Sequence, residues 1–258
     1  MSEKREAIVR LEGLVCEVGG QRVLDGVDLE VYRSEVAAIL GLSGSGKTTL
    51  LRLIMGLIPP TAGKIEVMGE ELGRLSEAGL NRLRLRMGMV FQQAALFDSL
   101  TVRENVAFAL EEHRRLTGPE LEARVKEKLS LVGMEGVEHF LPAELSGGMR
   151  KRVGVARALA LDPELMLYDE PTAGLDPIAA TAMDQLILEL REKLGTTSIV
   201  VSHDVASIGR IADRAALLYQ GRILAVGPPE ELESSLDPTV RQFLTGSLLG
   251  PISAHGLG

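Results

Sequence analysis

One stretch decides the fold of this chain: Gly41-Leu42-Ser43-Gly44-Ser45-Gly46-Lys47-Thr48, which follows the apolar run Val36-Ala37-Ala38-Ile39-Leu40. A continuous apolar run of this length is typical of a buried central strand. The glycines allow the backbone to wrap so that successive N–H groups point inward, as an anion-binding nest at a helix N-terminus. Lys47 is expected to reach the β- and γ-phosphates of a nucleotide, and Thr48 to offer its hydroxyl to Mg²⁺. The alternative, a glycine-rich turn with an exposed lysine, is disfavoured because the whole motif matches in a strand–loop–helix context.

The composition limits the classes to which this protein can belong. Its 258 residues are 45% hydrophobic and only 3% aromatic, so one large α/β domain with an aliphatic and methionine core is expected. No stretch approaches the roughly 18 apolar residues that cross a bilayer, and the polar segment Ser2–Glu6 has no signal-peptide stretch behind it. The net charge of −8 argues against a nucleic-acid partner. Cys16, the only cysteine, is predicted to be a buried small hydrophobe in a reducing compartment.

Hydrophobic periodicity predicts the order of the elements. Ile8–Leu14 and Val27–Val31 alternate like antiparallel strands, with a turn predicted at Asp25-Gly26. A helix is predicted from Lys47 to about Ile58, where Pro59-Pro60 ends it. From about residue 94 to residue 162 the period becomes helical, and this block interrupts a chain that otherwise alternates strand and helix. The block is therefore interpreted as an inserted helical subdomain.

Two acids follow another apolar strand. Asp169 and Glu170 come directly after Leu165–Tyr168, and the carboxyl ends of such strands are where doubly wound sheets place ligand sites. Asp169 is expected to hold Mg²⁺ through water, and Glu170 to polarise the attacking water as general base. Adjacent acids after a strand are often only solvated. The glycine-rich loop upstream and the segment Pro171–Asp176 downstream favour the functional interpretation.

Of three further segments, those of Gln92 and His203 are weak signals individually. Gln92 follows the apolar pair Val90-Phe91, and His203 follows the predicted strand Ser198–Ser202. A glutamine or a histidine in such places is more often an ordinary surface or structural residue. Ser146-Gly147-Gly148 begins a predicted helix, where a hydroxyl, glycine N–H groups and the helix dipole would form a second anion site.

Taken together and in this order, the five segments resemble the nucleotide-binding subunit of an ATP-binding-cassette (ABC) transporter, from about Ile8 to about Gln242. The resemblance implies an α/β fold: a phosphate-loop NTPase (RecA-like) core with an antiparallel β subdomain and an inserted helical subdomain. It implies one ABC ATPase domain over 1–258, with the nucleotide-binding core at 1–93 and 163–226. The helical subdomain with the signature motif would span 94–162, and a C-terminal helical tail 227–258. The implied activity is ATP hydrolysis coupled to transport, with ATP and Mg²⁺.

The resemblance also assigns roles to single residues. In the family a glutamine at the position of Gln92 contacts Mg²⁺ and senses the membrane partner, and a histidine at that of His203 contacts the γ-phosphate. Lys47 and Glu170 complete the expected catalytic set. The expected Mg²⁺ ligands are Thr48, Gln92 and Asp169. The residues expected to bind ATP are Gly41, Ser43, Gly44, Ser45, Gly46, Lys47, Thr48, Thr49, Val18, Gln92, Asp169 and His203.

The signature segment implies a dimer. In the family, residues at the positions of Ser146, Gly147, Gly148 and Met149 contact the ATP held by the other subunit. This chain carries one copy of each motif, so it must pair with another chain, most simply with itself, around two shared ATP molecules. Asp176 stands at the family's D-loop position, which crosses that interface.

Two positions depart from the family pattern. The residue before Gly19-Gly20 that usually stacks on adenine is Val18 rather than an aromatic, so weaker base stacking and a weaker preference for ATP over other nucleoside triphosphates are expected. The glutamine that usually ends the signature is replaced by Met149.

The second departure narrows the resemblance to the ATPases of MCE-type lipid transporters, which include the Mla (maintenance of lipid asymmetry) systems. Pro142–Val153, Phe91–Phe97 and Asp237–Gly246 are each similar to segments of that group. The implied partners are an integral-membrane permease, contacted near Gln92–Phe97, and an MCE-domain lipid-binding protein. The implied cargo is lipid, with phospholipid expected, and the implied place is the cytoplasmic face of the inner (plasma) membrane, attached through the permease.

Three other functions stay open at this point. An ABC ATPase for a polar solute such as an amino acid would share the chemistry, although Met149 and Leu96-Phe97 weigh against it. A non-transport ABC protein acting on DNA or ribosomes usually carries a long coiled coil or tandem cassettes, which this chain lacks. A non-enzymatic regulatory cassette is disfavoured because Lys47, the acid pair and His203 are all present.

Overall fold

The structure, a computed structural model, describes residues 5–114 and 116–252. Two compact units make up the chain, one formed by Met1–Leu80 with Ile199–Gly258 and the other by Asn81–Ser198. The strands are β1 (Ala7–Val18), β2 (Gln21–Tyr32), β3 (Val36–Leu40), β4 (Ala62–Val67), β5 (Glu70–Glu71), β6 (Met87–Val90), β7 (Leu165–Asp169), β8 (Thr197–Ser202), β9 (Arg214–Tyr219) and β10 (Arg222–Gly227). The α-helices are α1 (Lys47–Ile54), α2 (Glu77–Arg84), α3 (Val102–Ala109), α4 (Gly118–Leu131), α5 (Gly147–Ala158), α6 (Pro177–Leu194), α7 (Val205–Ile211), α8 (Pro229–Glu233) and α9 (Pro238–Thr245).

The first unit contains an antiparallel sheet in the order β2-β1-β4-β5. Its hairpin turns at Gly19-Gly20, where φ is +60° and +80°. The turn predicted at Asp25-Gly26 is wrong, because both residues lie inside β2. Gly26, with φ +75°, falls where the pairing of β1 with β2 shifts register, between Leu14↔Val27 and Val15↔Asp25. A glycine that tolerates positive φ has therefore been used for a bulge rather than for a chain reversal.

The first unit also contains strands in the order β10-β9-β3. All five residues of β3 are buried, as the apolar run predicted, and β3 pairs in parallel with β9. Helix α1 follows the loop after β3 but ends at Ile54, four residues before the predicted end. Gly56, with φ +63°, lies just after the Met55 C-cap, so the helix stops at a left-handed glycine and not at Pro59-Pro60.

The second unit combines strands with helices α3 to α6. β6 and β7 pair in parallel, with Met87 opposite Leu165 and Val90 opposite Tyr168. The helical period predicted from residue 94 is wrong for its first eight residues, because 94–101 form turns and irregular backbone and α3 begins only at Val102. Thr101 and Glu104 form a capping box that fixes this start.

The two units divide at Leu80 and Ser198. The domain boundaries expected from the sequence, with an inserted subdomain at 94–162, stay a prediction. Among the described residues, no helix combines the length and the apolar character that a membrane span requires. Cys16 is 2% exposed in β1, as predicted, and burial raises the pKa of its thiol, with a smaller contribution from the charge of Glu17.

Candidate functional site

The glycine-rich loop of the first unit is closed by its own lysine. Lys47 is 7% exposed, and its Nζ donates to the Gly41 carbonyl at 2.8 Å and to the Leu42 carbonyl at 3.0 Å. Gly46 caps α1 with φ +100°, and a Cβ there would lie 3.0 Å from Val23 Cγ1 and Leu24 Cδ2. The loop therefore needs glycine both for its backbone angle and for its close approach to the neighbouring strand.

The loop is shaped to take an anion. A Cβ on Gly41 would lie 2.6 Å from Ser45 Oγ, so this cradle leaves no room for a side chain. Ser45 Oγ is buried and has no hydrogen-bond partner among the described residues. A buried hydroxyl of this kind is costly unless something accepts from it. With the helix N-terminus beside it, the loop fits the phosphate groups of a nucleotide.

The other predicted residues of the first unit lie at the ends of strands. Val18 is the last residue of β1 and is 53% exposed, so it offers a small apolar surface beside the hairpin turn. His203 follows β8 and is exposed. Its neighbours are fixed by capping: the Asp204 N–H donates to Ser202 Oγ at 3.0 Å, and the Asp204 carboxylate accepts from the Ser207 N–H at 3.1 Å. These bonds fix the chain on the C-terminal side of His203.

In the second unit the two acids are buried at the end of β7. Asp169 is 6% exposed and Glu170 is 9% exposed. Glu170 has φ +49°, a left-handed conformation that is uncommon for a residue with a side chain. Its carbonyl accepts from the Ala173 N–H at 3.2 Å and from Lys151 Nζ at 3.2 Å. A carboxylate held in an irregular turn directly after a strand can serve as a general base.

The signature segment forms the first turn of α5. Ser146 is the N-cap, and its Oγ accepts from the Met149 N–H at 3.2 Å. Gly147 is exposed, and a Cβ on it or on Gly148 would meet nothing closer than 3.8 Å. The turn therefore presents backbone N–H groups to solvent at the positive end of a helix dipole, which suits an external anion.

Asp176 has a local structural role. It is the N-cap of α6, and its carboxylate accepts from the Ile178 and Ala179 N–H groups, each at 3.0 Å. Pro177 occupies the first position of that helix, as is common. The sequence did not predict this capping role, and the expected role of Asp176 at an interface between subunits stays a prediction.

Gln92 lies in an exposed loop that follows β6. Ala94 and Ala95 of this loop have φ +60° and +48°, and the Arg157 guanidinium donates to both of their carbonyls, at 2.9 and 2.7 Å. Phe97 is 44% exposed and its ring centroid is 5.0 Å from that of Phe108. Phe97 is therefore a surface residue and not part of the core.

The comparisons with known proteins decide the family. Residues 24–173 match the family model described as ABC transporter. The chain belongs to the ABC transporter family. It is 46% identical over 234 residues to the intermembrane phospholipid transport system ATP-binding protein MlaF of Escherichia coli (strain K12), covering 91% of this chain and 87% of that protein. It is 39% identical over 244 residues to the probable ribonucleotide transport ATP-binding protein mkl of Mycobacterium leprae (strain TN), covering 95% and 70%.

A solved structure confirms the predicted fold class of this ABC ATPase. The ATP-binding cassette MJ0796, a dimer in a post-hydrolysis state bound to ADP and Pi, matches with a TM-score of 0.78 and 33% identity, covering 86% of this chain and 98% of that one. The chain is therefore an ATP-binding, ATP-hydrolysing subunit of the ABC transporter type, as the sequence predicted.

The structure brings the expected residues of this ABC ATPase together within each unit. In the first unit Ser45 lies in the glycine-rich loop and Lys47 and Thr48 begin α1 directly after it; in the second, Asp169 ends β7 and Glu170 begins the turn that follows. Sequence reasoning did not identify the residues whose side chains hold these segments in place. The spacing along α5 contained one signal that could have found Lys151. Lys151, Val155 and Leu159 are spaced four apart and are all buried, so a lysine stands on the apolar face of α5.

Proposed function

We propose that this ABC ATPase binds Mg·ATP in a homodimer, hydrolyses it, and drives a membrane permease that moves phospholipid in an MCE/Mla-type system. The assignment of phospholipid as the cargo is supported by the similarity to the phospholipid-transport protein MlaF along nine-tenths of the chain. The Met149 signature and the Leu96-Phe97 loop point to the same group. The chain would sit on the cytoplasmic face of the inner membrane, held there by its permease.

The protein's own contribution to catalysis would be positioning and charge neutralisation around the phosphates. The Gly41–Lys47 loop supplies N–H groups and an ammonium for the phosphate charge. Glu170 would take a proton from the attacking water, and His203 would contact the γ-phosphate. Thr48, Gln92 and Asp169 offer the oxygen ligands that Mg²⁺ prefers, and when bound the ion would neutralise phosphate charge.

The dimer would place the first turn of α5 against the ATP of the partner subunit. The support is the exposed Gly147 and the half-buried Gly148 at a capped helix N-terminus and the dimeric state of the related cassette. One chain carries one glycine-rich loop and one signature turn, so two chains in an isologous arrangement provide two sites.

The permease would dock on the loop after β6. The support is an exposed apolar side chain, Phe97, that is nonetheless held firmly: its N–H donates to Asn105 Oδ1 at 2.8 Å, and the Arg157 guanidinium carbon lies 5.8 Å from its ring centroid. A rigid apolar anchor at the surface is what a helix docking into a groove requires.

A second candidate cargo is a polar solute, favoured by the name of the mycobacterial relative, probable ribonucleotide transport ATP-binding protein mkl. Purifying the tagged chain from its own cells in mild detergent, with mass spectrometry of the associated proteins and lipids, separates the two. We expect a multi-spanning permease, an MCE-domain protein and enriched phospholipid. A permease accompanied by a soluble solute-binding protein and no enriched lipid would overturn the lipid assignment.

A further inference from the structure

A buried lysine connects the signature helix to the turn that carries the acids. Lys151 lies on α5, five residues after the N-cap Ser146, and is 7% exposed. Its Nζ donates to the Pro171 carbonyl at 2.8 Å and to the Glu170 carbonyl at 3.2 Å. A single side chain therefore bridges two successive carbonyls of the turn after β7.

The chemistry of this contact is unusual for a buried lysine. Burying an ammonium is costly, and lysines are almost never buried unless they are paired. Lys128, another buried lysine of this unit, is paired with the carboxylates of Asp162 and Glu127. Lys151 instead donates to main-chain oxygens. Burial lowers the pKa of its ammonium, and the charge of Glu170 partly opposes that shift.

The turn that Lys151 contacts needs support. Glu170 has φ +49°, and non-glycine residues in this region persist only where the surroundings hold them. The Ala173 N–H, at 3.2 Å from the Glu170 carbonyl, closes the turn from one side. Lys151 holds it from α5. The direction of the Glu170 side chain follows from this backbone conformation.

We propose that Lys151 is a positioning residue for ATP hydrolysis, which fixes the Glu170–Pro171 backbone so that the Glu170 carboxylate keeps one orientation. The inference rests on the proposed role of Glu170 as general base. Because Lys151 belongs to the helix that Ser146 caps, it also joins the turn of the base to the segment proposed to touch the partner's ATP. A shift of α5 would therefore move the base.

The test is steady-state ATP hydrolysis and nucleotide binding by the full chain with Lys151→Met, which keeps the length and loses the donors. We expect kcat to fall by about 10- to 100-fold, because small misplacements of a catalytic group cost that much. KM and the Kd for ATP should stay within about twofold, since ground-state contacts are kept. Lys151→Arg, which can still donate to both carbonyls, should recover most of kcat.

Two comparisons separate positioning from simple destabilisation. Lys128→Met removes a buried lysine of the same unit that contacts neither Glu170 nor Pro171, and is expected to lower the melting temperature while kcat per folded molecule stays within about twofold. In a Glu170→Gln background, Lys151→Met should cause no further loss of turnover, because both changes act through one group. Unchanged kcat in Lys151→Met, or an additive loss in the double variant, would overturn the proposal.

The same variants of Lys151 and Glu170 distinguish failure of this inference from failure of the proposed function. If Glu170→Gln alone retains turnover, the assignment of the base fails, whatever Lys151 does. If Lys151→Met melts below the assay temperature, Lys151→Gln replaces it. Its shorter amide cannot serve both carbonyls, so a kcat loss of at least about fivefold with KM unchanged is expected, and no loss would refute the positioning role.

Discussion

Replacing Asn105 by alanine is expected to lower the free energy of unfolding by about 3 kcal/mol. Asn105 is fully buried at the start of α3 and holds the loop that carries Phe97. Its Oδ1 accepts from the Phe97 N–H at 2.8 Å, and its Nδ2 donates to the carbonyls of Phe97, Leu100 and Thr101 at 3.0–3.1 Å.

The magnitude follows from which groups keep a partner after the change. The Phe97 carbonyl still accepts from the Leu100 N–H, and the Thr101 carbonyl still accepts from the backbone N–H of residue 105. The Phe97 N–H and the Leu100 carbonyl lose the bonds that Asn105 makes. A buried polar group left unpaired costs about 1–3 kcal/mol, and water reaches this loop from one side, so about 1.5 kcal/mol each is reasonable.

Thermal melting of the full chain measures the effect, and at 2–4 °C per kcal/mol a decrease in Tm of about 6–12 °C is expected. Asn81→Ala is the matched control, because Asn81 is exposed on α2 and its side-chain Oδ1 accepts from the exposed Arg84 guanidinium; its cost should stay below about 0.5 kcal/mol. A Tm change under about 2 °C for Asn105→Ala would show that the loop does not depend on this side chain.

Three other changes probe the proposed sites. Glu170→Gln should retain ATP binding and lose turnover by at least about 100-fold, while converting a weakly associating chain into an ATP-dependent dimer; near-normal hydrolysis would point to another base. Val18→Tyr should tighten ATP binding by about 1 kcal/mol, the low end for base stacking because the position is half exposed, and strong rejection of GTP by the unmodified protein would show that a different residue selects the base. Leu96→Glu or Phe97→Glu should leave the subunit folded and able to bind ATP, as judged by melting and nucleotide titration, yet prevent co-purification with the permease; unchanged assembly would remove this loop from the interface.

The features that could be predicted from the sequence are those in which a residue type has only one structural use. A lysine that follows an apolar run and a glycine-rich segment is compatible with one arrangement, strand–loop–helix. The structure shows β3, the loop and α1 in that order. The buried strand ending in Asp169 and Glu170 was predictable for the same reason. In both cases local pattern and tertiary role agree.

The errors arose where one residue type serves two structures. Glycine at positive φ serves a turn or a bulge equally well, so Asp25-Gly26 was assigned to a turn when the reversal occurs at Gly19-Gly20. The alanines after Gln92 favour helix by propensity, but Arg157, far along the chain, holds their carbonyls in left-handed backbone. Contacts between residues so distant in sequence leave no local pattern.

The burial of Cys16 has a practical consequence for spectroscopy. It is the only cysteine in the sequence, and both its 2% exposure and its raised pKa disfavour the reactive thiolate. A maleimide dye or spin label added to the native protein should therefore attach to a single engineered surface cysteine and leave Cys16 unmodified. Movements of a chosen residue during the ATP cycle could then be followed without removing the native thiol. Conversely, labelling of the unaltered chain would report opening of the β1–β2 hairpin.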